Sequence, residues 1–226
     1  MDAVLLFSGQ GAQKVGMGKD LYDQYPVAKA LIEQADKALG ESLSAVMFEG
    51  PGEELTRTCN CQPALYVHGL ACLAVLKELV PSLNPVAAAG LSLGEFTAHA
   101  AAGTYSFEEG LRLVQKRGAF MEEACNATKG TMAAMIGGTD ENVIKLAQEC
   151  DVDVANFNCP GQTVVSGTEE GVAKAVAGAK AAGCKIAKKL NVAGAYHSRL
   201  MHSAMVKLAE ELKNISFGTP SMPVYC

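Results

Sequence analysis

No stretch of the 226-residue sequence approaches the roughly 18 consecutive apolar residues that a membrane-spanning helix needs, although 49% of the chain is hydrophobic. The start lacks a basic segment ahead of its apolar run. Met1 to Phe7 leads straight into glycines, as a strand entering a loop does and a secretory signal does not. A soluble, cytoplasmic protein is expected, with its eight cysteines as thiols. The C-x2-C spacing of structural zinc sites is also missing. Cys59 and Cys61 form C-x-C, with His68 and Cys72 downstream, so these cysteines are expected as small buried hydrophobes and no metal is expected. Two glycine motifs lack a decisive residue. Gly9-Gln10-Gly11 is followed by Lys14 where a dinucleotide fingerprint needs its third glycine. Gly18-Lys19 is followed by Asp20 and has no glycine at position 13, so a Walker A loop is excluded as well. Internal repeats and low-complexity segments are absent.

Acidic residues are missing from one long stretch. Between Gly171 and Ala209 there is no Asp or Glu, while Lys174, Lys180, Lys185, Lys188, Lys189, Arg199 and Lys207 sum to +7. The whole chain carries −5, so the remainder carries −12. One basic stretch on an otherwise acidic chain points to a localised anionic partner, or to lysines on a solvated helix face, and argues against a nucleic-acid coat.

What is present fits one large domain, or one domain carrying a smaller insert, with a core that needs neither disulfide nor metal. Apolar runs and glycines alternate as strands interleaved with helices do, which predicts an α/β chain with a largely parallel sheet. Val4–Phe7 and Pro85–Ala89 read as strands, the second one buried. Val27–Leu39, Pro63–Leu79, Leu93–Ala102 and Glu109–Cys125 read as helices, with Leu65, Leu70, Leu73, Leu76 and Val80 as an apolar stripe. Past Cys125 the texture changes. Strands at Thr131–Ile136, Val152–Phe157, Gln162–Ser166 and Lys185–Val192, with helices at Asp140–Cys150 and Glu169–Ala182, give the order β-α-β-β-α-β of a split-βαβ unit. It is expected as an insert at 125–192, with 1–124 and 193–226 forming the main domain.

The strongest chemical signal is Gly90-Leu91-Ser92-Leu93-Gly94, between a predicted strand and a predicted helix. In that context the glycines permit a sharp turn that holds Ser92 clear of the backbone, and the helix N-terminus favours negative charge developing there. A serine hydroxyl needs a base. His68 and His99 fall within helices, where a structural histidine is more usual. His197, in the loop Gly194–Ser198, is the favoured base and His202 the fallback. Arg117 shares a helix face with the apolar Leu113, Val114 and Met121. A guanidinium there needs an anion: an internal Asp or Glu, an escape to water, or a ligand carboxylate held by two parallel hydrogen bonds.

These residues, taken in order, resemble a known family: the malonyl-CoA:acyl carrier protein transacylases and the related acyltransferase domains of fatty acid and polyketide synthases. The resemblance rests on Phe7-Ser8-Gly9-Gln10-Gly11, Gln62-Pro63-Ala64-Leu65, Gly90-Leu91-Ser92-Leu93-Gly94-Glu95, Arg117-Gly118 with Met121, Asn156 to Gln162, and His197-Ser198 with Leu200-Met201. It implies Ser92 as nucleophile, His197 as base, Gln10 with the backbone N–H of Leu93 as oxyanion hole, Arg117 as clamp for the malonyl carboxylate, and Gln62 and Asn158 as lining. It implies an α/β-hydrolase-like large domain with a ferredoxin-like small one, coenzyme A thioester as substrate with no separate cofactor, and acyl carrier protein as partner. Lys185, Lys188 and Lys189 are then candidate docking residues, with neither nucleic acid nor membrane as partner. Two departures stand out. The family carries His where Leu91 stands, and it continues beyond the point matching Cys226, so the large domain is expected to lack its C-terminal part. The rival readings are a serine hydrolase or thioesterase, and a non-catalytic module that binds carrier protein. For the hydrolase, the aspartates between Ser92 and His197 (Asp140, Asp151 and Asp153) all fall in the insert, where none sits naturally for a triad.

Overall fold

The computed structural model describes all 226 residues, Met1–Cys226. In chain order, β1 (Asp2–Phe7) is followed by α1 (Lys19–Gln24), α2 (Pro26–Leu39), α3 (Leu43–Glu49), α4 (Gly52–Thr56) and α5 (Thr58–Leu79). Then come β2 (Asn84–Gly90), α6 (Leu93–Ala101), α7 (Phe107–Ala127), β3 (Gly130–Ile136), α8 (Asp140–Glu149), β4 (Asp153–Cys159), β5 (Gln162–Thr168) and α9 (Glu169–Gly178). The chain closes with β6 (Ile186–Lys189), a 3-10 turn at Arg199–Met201, α10 (His202–Leu212) and β7 (Val224–Tyr225). It is an α/β chain with one parallel and one separate antiparallel sheet, and it divides into two compact units, Met1–Ala119 with Leu208–Cys226, and Phe120–Lys207.

The first unit holds the three-stranded parallel sheet in the order β1-β2-β7. β1 runs beside β2 from Asp2 opposite Asn84 to Phe7 opposite Gly90. β7 joins the other side of β2, pairing Ala88 with Val224 and Ala89 with Tyr225. Leu5 and Ala88 bury themselves with Leu73 of α5 and Ala98 of α6. Strand side chains alternate faces, so Val4 and Leu6 point away from Leu5 and stay exposed; Val86 is exposed at the register shift, where it is passed over between the pairs Ala3–Pro85 and Val4–Ala87. Within Pro85–Ala89, read from sequence as a buried strand, Ala87 and Ala88 are buried, Pro85 and Ala89 half-buried and Val86 exposed.

A second core in the same unit joins Ile32, Met47, Tyr66, Val67 and Leu111. Its axis is α5, buried on most of its circumference. By length and composition α5 is apolar enough to cross a membrane, but it lies in the core. It starts earlier than its sequence pattern suggests, and Leu76 falls outside the buried stripe at 40% exposed. Tyr66 places its hydroxyl on the carbonyl of Phe107 at 3.0 Å, and burial raises the phenol's pKa.

The second unit holds the antiparallel sheet in the order β4-β5-β3-β6. Alternation along the central strands separates two cores: Ala133, Met135 and Val165 pack against α8 and α9, while Met132, Ala134 and Val164 meet Met121, Ala124, Tyr196 and Met201 on the other face. The second of these clusters explains why this unit reaches Phe120–Lys207 and not only 125–192: residues on both sides of those sequence-based bounds supply it. β6 is shorter than expected because only Ile186–Lys189 pair with β3, and α9 ends at Gly178 before a turn closed by Cys184 N–H on the Ala179 carbonyl at 2.9 Å. Thr139 caps α8 and Thr168 caps α9, each through its side-chain oxygen. Thr168→Ala is expected to destabilise the protein by about 1 kcal/mol, and Thr168→Ser by much less, in equilibrium urea unfolding.

Candidate functional site

Ser92 sits on the turn between β2 and α6 with φ 54 and ψ −100, a left-handed region that a serine occupies only under constraint, at a cost of about 1–3 kcal/mol. The constraint is close backbone approach. A methyl group at Gly90 would collide with the backbone of Gly94, and one at Gly94 with the carbonyl of Phe7 at the end of β1. The two glycines of the motif therefore let strand, turn and helix cross at van der Waals distance, and the turn presents Ser92 outward. Leu93 is the first residue of α6 and is buried. Its backbone N–H is among those that no intrahelical carbonyl can reach, and it faces the positive end of the helix. Gln10 lies in the turn that follows β1, half-buried. Leu91, where the resembling family has histidine, is 55% exposed.

Arg117 reaches the same serine from α7. It is only 9% exposed. Nη2 donates to Ser92 Oγ at 2.9 Å and Nη1 donates to Gln62 Oε1 at 2.7 Å. The guanidinium also lies over the Phe96 ring, 5.2 Å from its centroid. Gly118 makes this reach possible: a methyl there would stand 2.5 Å from the carbonyl of Thr58, so α7 can press against the start of α5, which carries Gln62. Of the three anion options weighed from sequence, the internal hydrogen-bonded Asp or Glu is absent, since both partners are neutral. The escape to water is absent too. Glu95 acts on the cation only through space. Burial pulls the arginine's pKa down to about 10, countered in part by Glu95, so the group remains cationic near neutrality. Two of its five N–H donors are engaged and the rest remain for an anion. The part played by Phe96 and Glu95 carries no separable signal in the sequence. Both lie on α6, which sets the Phe96 ring against the guanidinium and the Glu95 charge near enough to act on it.

The remaining expected residues lie in the second unit. Asn158 is exposed near the end of β4. His197 is exposed with φ 56, in a loop fixed on both sides. Tyr196 is buried before it, and after it Arg199 grips Asp153 through its backbone N–H at 2.7 Å and its guanidinium at 2.8 Å, and Asp151 at 2.8 Å. The guanidinium's hydrogen bonds hold the Asp153 carboxyl below its usual range. Asp140 accepts from the Thr163 hydroxyl at 2.7 Å. The three aspartates between nucleophile and histidine thus have these partners. Asp153 orients the histidine loop from one side, a role hidden in sequence by the distance from position 153 to 199. His202, the fallback, opens α10 and is exposed.

The basic stretch is more neutral than its count. Lys174 pairs with Glu170, Lys189 with Glu169, Arg199 with Asp151 and Asp153, and Lys207 with Glu123. Lys185 and Lys188 are exposed and make no ion pair. Of the cysteines expected as small buried hydrophobes, Cys61 is buried, Cys59 is half-buried and Cys72 is exposed, its Sγ 3.8 Å from both ring nitrogens of His68. Cys61 is buried seven residues earlier on the same helix, about 10 Å along its axis, too far to share an ion.

Residues 4–226 match the acyl transferase domain family. A malonyl CoA-acyl carrier protein transacylase of Bacillus subtilis is 45% identical over 224 residues, covering 97% of this chain and 70% of the relative. The solved malonyl CoA-acyl carrier protein transacylase of Coxiella burnetii superposes with a TM-score of 0.93 at 37% identity, covering 98% of this chain and 71% of that one. A type II polyketide acyl-carrier protein in complex with its malonyl-transacylase gives 0.92 at 38% identity, covering 98% and 72%.

Two outcomes test the geometry. Gly94→Ala, which forces backbone apart, is expected to cost at least about 3 kcal/mol in urea unfolding or to prevent folding. Arg117 is lower in pKa when folded than unfolded, so near neutrality its buried charge costs stability, a cost relieved only above pH about 10. Arg117→Met is accordingly expected to leave stability unchanged or to raise it by about 1–3 kcal/mol.

Proposed function

The chain belongs to the acyl transferase domain family, and on that premise we propose that it transfers a malonyl group from malonyl-CoA to the phosphopantetheine thiol of acyl carrier protein, through an ester on Ser92. The observation that carries this reading is the buried Arg117 hydrogen-bonded to Ser92 Oγ at 2.9 Å. A malonyl group has one methylene between its two carbonyl carbons. With its thioester carbon at Oγ, its carboxylate falls within reach of the same guanidinium, which would release Oγ and take the anion with its free donors. A longer diacid would overshoot, and an acetyl group would leave the buried charge without an anion.

In the first step, the Ser92 hydroxyl loses its proton to His197 as Oγ attacks the thioester carbon. The oxyanion is held by Gln10 and the Leu93 N–H, at about 3 kcal/mol per donor. Collapse breaks the C–S bond, and coenzyme A leaves as the thiol with the proton from His197. In the second step, the carrier-protein thiol gives its proton to His197 and attacks the ester. Ser92 recovers its proton as the malonyl thioester departs. No separate cofactor enters either step. Asn158 and Gln62 line the site in this reading, Gln62 by holding Arg117 in place.

The finer fold assignment belongs to the same proposal. The β-turn-α elbow on a parallel sheet supports an α/β-hydrolase-like large domain built from about 1–124 and 193–226. The order β4-β5-β3-β6 with β-α-β-β-α-β connectivity supports a ferredoxin-like small domain near 125–192. A soluble, cytoplasmic enzyme fits the carrier-protein partner. The acidic carrier protein is expected to meet Lys185 and Lys188, with Lys189 contributing less because of Glu169.

Incubation with malonyl-CoA is expected to leave a malonyl adduct on Ser92 by mass spectrometry, passed on to added carrier protein. Release of free malonate instead would mark a hydrolase, and no adduct a binding module. Arg117→Ala is expected to lower kcat/KM for malonyl-CoA by about 100-fold or more, as loss of a buried charge-assisted contact does, while acetyl transfer holds or rises. Equal losses for both substrates would remove the clamp. Lys185→Glu with Lys188→Glu is expected to raise KM for carrier protein and leave KM for malonyl-CoA unchanged.

A further inference from the structure

We propose that Glu95, His99 and Cys226 form a zinc-binding site beside the nucleophile elbow, with one carboxylate oxygen, one ring nitrogen and one thiolate as ligands and water completing the shell. The chain topology brings them together. β7 runs parallel to β2, and its last pair, Tyr225 with Ala89, leaves Cys226 level with Gly90, where the elbow begins. Glu95 and His99 stand four residues apart on α6 and so share one face of it. The three ligand atoms all lie within 4.8 Å of one another. Small side-chain adjustments bring such a trio onto an ion at about 2.0–2.3 Å.

The surroundings suit a metal. His99 Nδ1 and Thr104 Oγ1 share a 3.1 Å hydrogen bond, and Thr104 is buried. This leaves Nε2 as the ligand nitrogen and fixes the ring, as the outer partner of a metal-bound histidine does. Beside Glu95 and His99 lies a cavity of about 200 Å³ whose other walls include Phe96, Tyr105, Leu113 and Phe217. Its low polarity strengthens binding of a cation to two anionic ligands. A mixed thiolate, imidazole and carboxylate set selects zinc over magnesium or calcium, which prefer oxygen alone. The ion would tie the end of β7 to the helix that starts at Ser92. It would also draw on the Glu95 carboxylate, whose field acts on Arg117. The site stands apart from the acyl-transfer reading, since metal uptake is measurable whether or not malonyl-CoA is turned over.

The test is titration of the chelator-treated protein with zinc, and with cobalt(II) as a spectroscopic probe. One equivalent is expected to bind, with a thiolate-to-cobalt charge-transfer band. Cys226→Ser is expected to abolish the band, and Cys226→Ser and His99→Leu each to weaken zinc binding at least about 100-fold. Thr104→Val is expected to weaken it about tenfold. Cys72→Ser, which removes the separate His68–Cys72 pair, is expected to change nothing. Metal-free unfolding curves of each variant check that the fold is intact. No uptake by the parent protein, a charge-transfer band surviving in Cys226→Ser, or equal losses in Cys72→Ser would each overturn the site.

Discussion

The first unit depends on one costly interaction, a guanidinium largely withdrawn from water. Arg117 is held by Gln62 and Ser92, neither of them charged, over the ring of Phe96. A core built for stability alone would fill this position with Leu or Met, as its neighbours Leu113, Val114 and Met121 do. Retaining a cation there makes sense where an anionic group visits. The surrounding packing then has the task of keeping the side chain from escaping to solvent, and Gly118 against Thr58 and the buried Gln62 on α5 perform it.

Strain of a second kind is stored at the elbow. Ser92 and His197 both adopt positive φ without being glycine. In each case the surroundings impose the conformation: crossing backbones at Gly90 and Gly94 for the serine, and a buried Tyr196 with the Arg199–Asp153 pair for the histidine. The ion pair is exposed and adds little stability. Its value is positional, because a bidentate fork on a carboxylate fixes the direction of the loop that carries His197.

Much of the architecture was legible in the chain because periodicity reports burial. The β-α-β-β-α-β order of the second unit and the strand-turn-helix at Ser92 follow from apolar spacing and glycine placement. Other features could not be read this way. Val86 is exposed though its strand reads as buried, because a register shift against β1 passes it over. The +7 stretch lost most of its apparent charge once Glu123, Asp153, Glu169 and Glu170 folded against it; apart from the neighbouring Glu170 and Lys174, the partners lie twenty or more residues apart and leave no trace in local composition. The short α1, α3 and α4 were missed because each is too brief to show a period.

The sequence alone was enough to identify the α/β class, the elbow at Ser92, the uncommon arginine at 117 and the resemblance that connects them, since each depends on residues close together in the chain or on residue type. Tertiary structure decided which neutral groups hold that arginine, which acids were already engaged, and that Glu95, His99 and Cys226 share one small space. Those outcomes arise from contacts between positions tens of residues apart. Strand register and the close approach of helices select such contacts, and local propensity does not encode them.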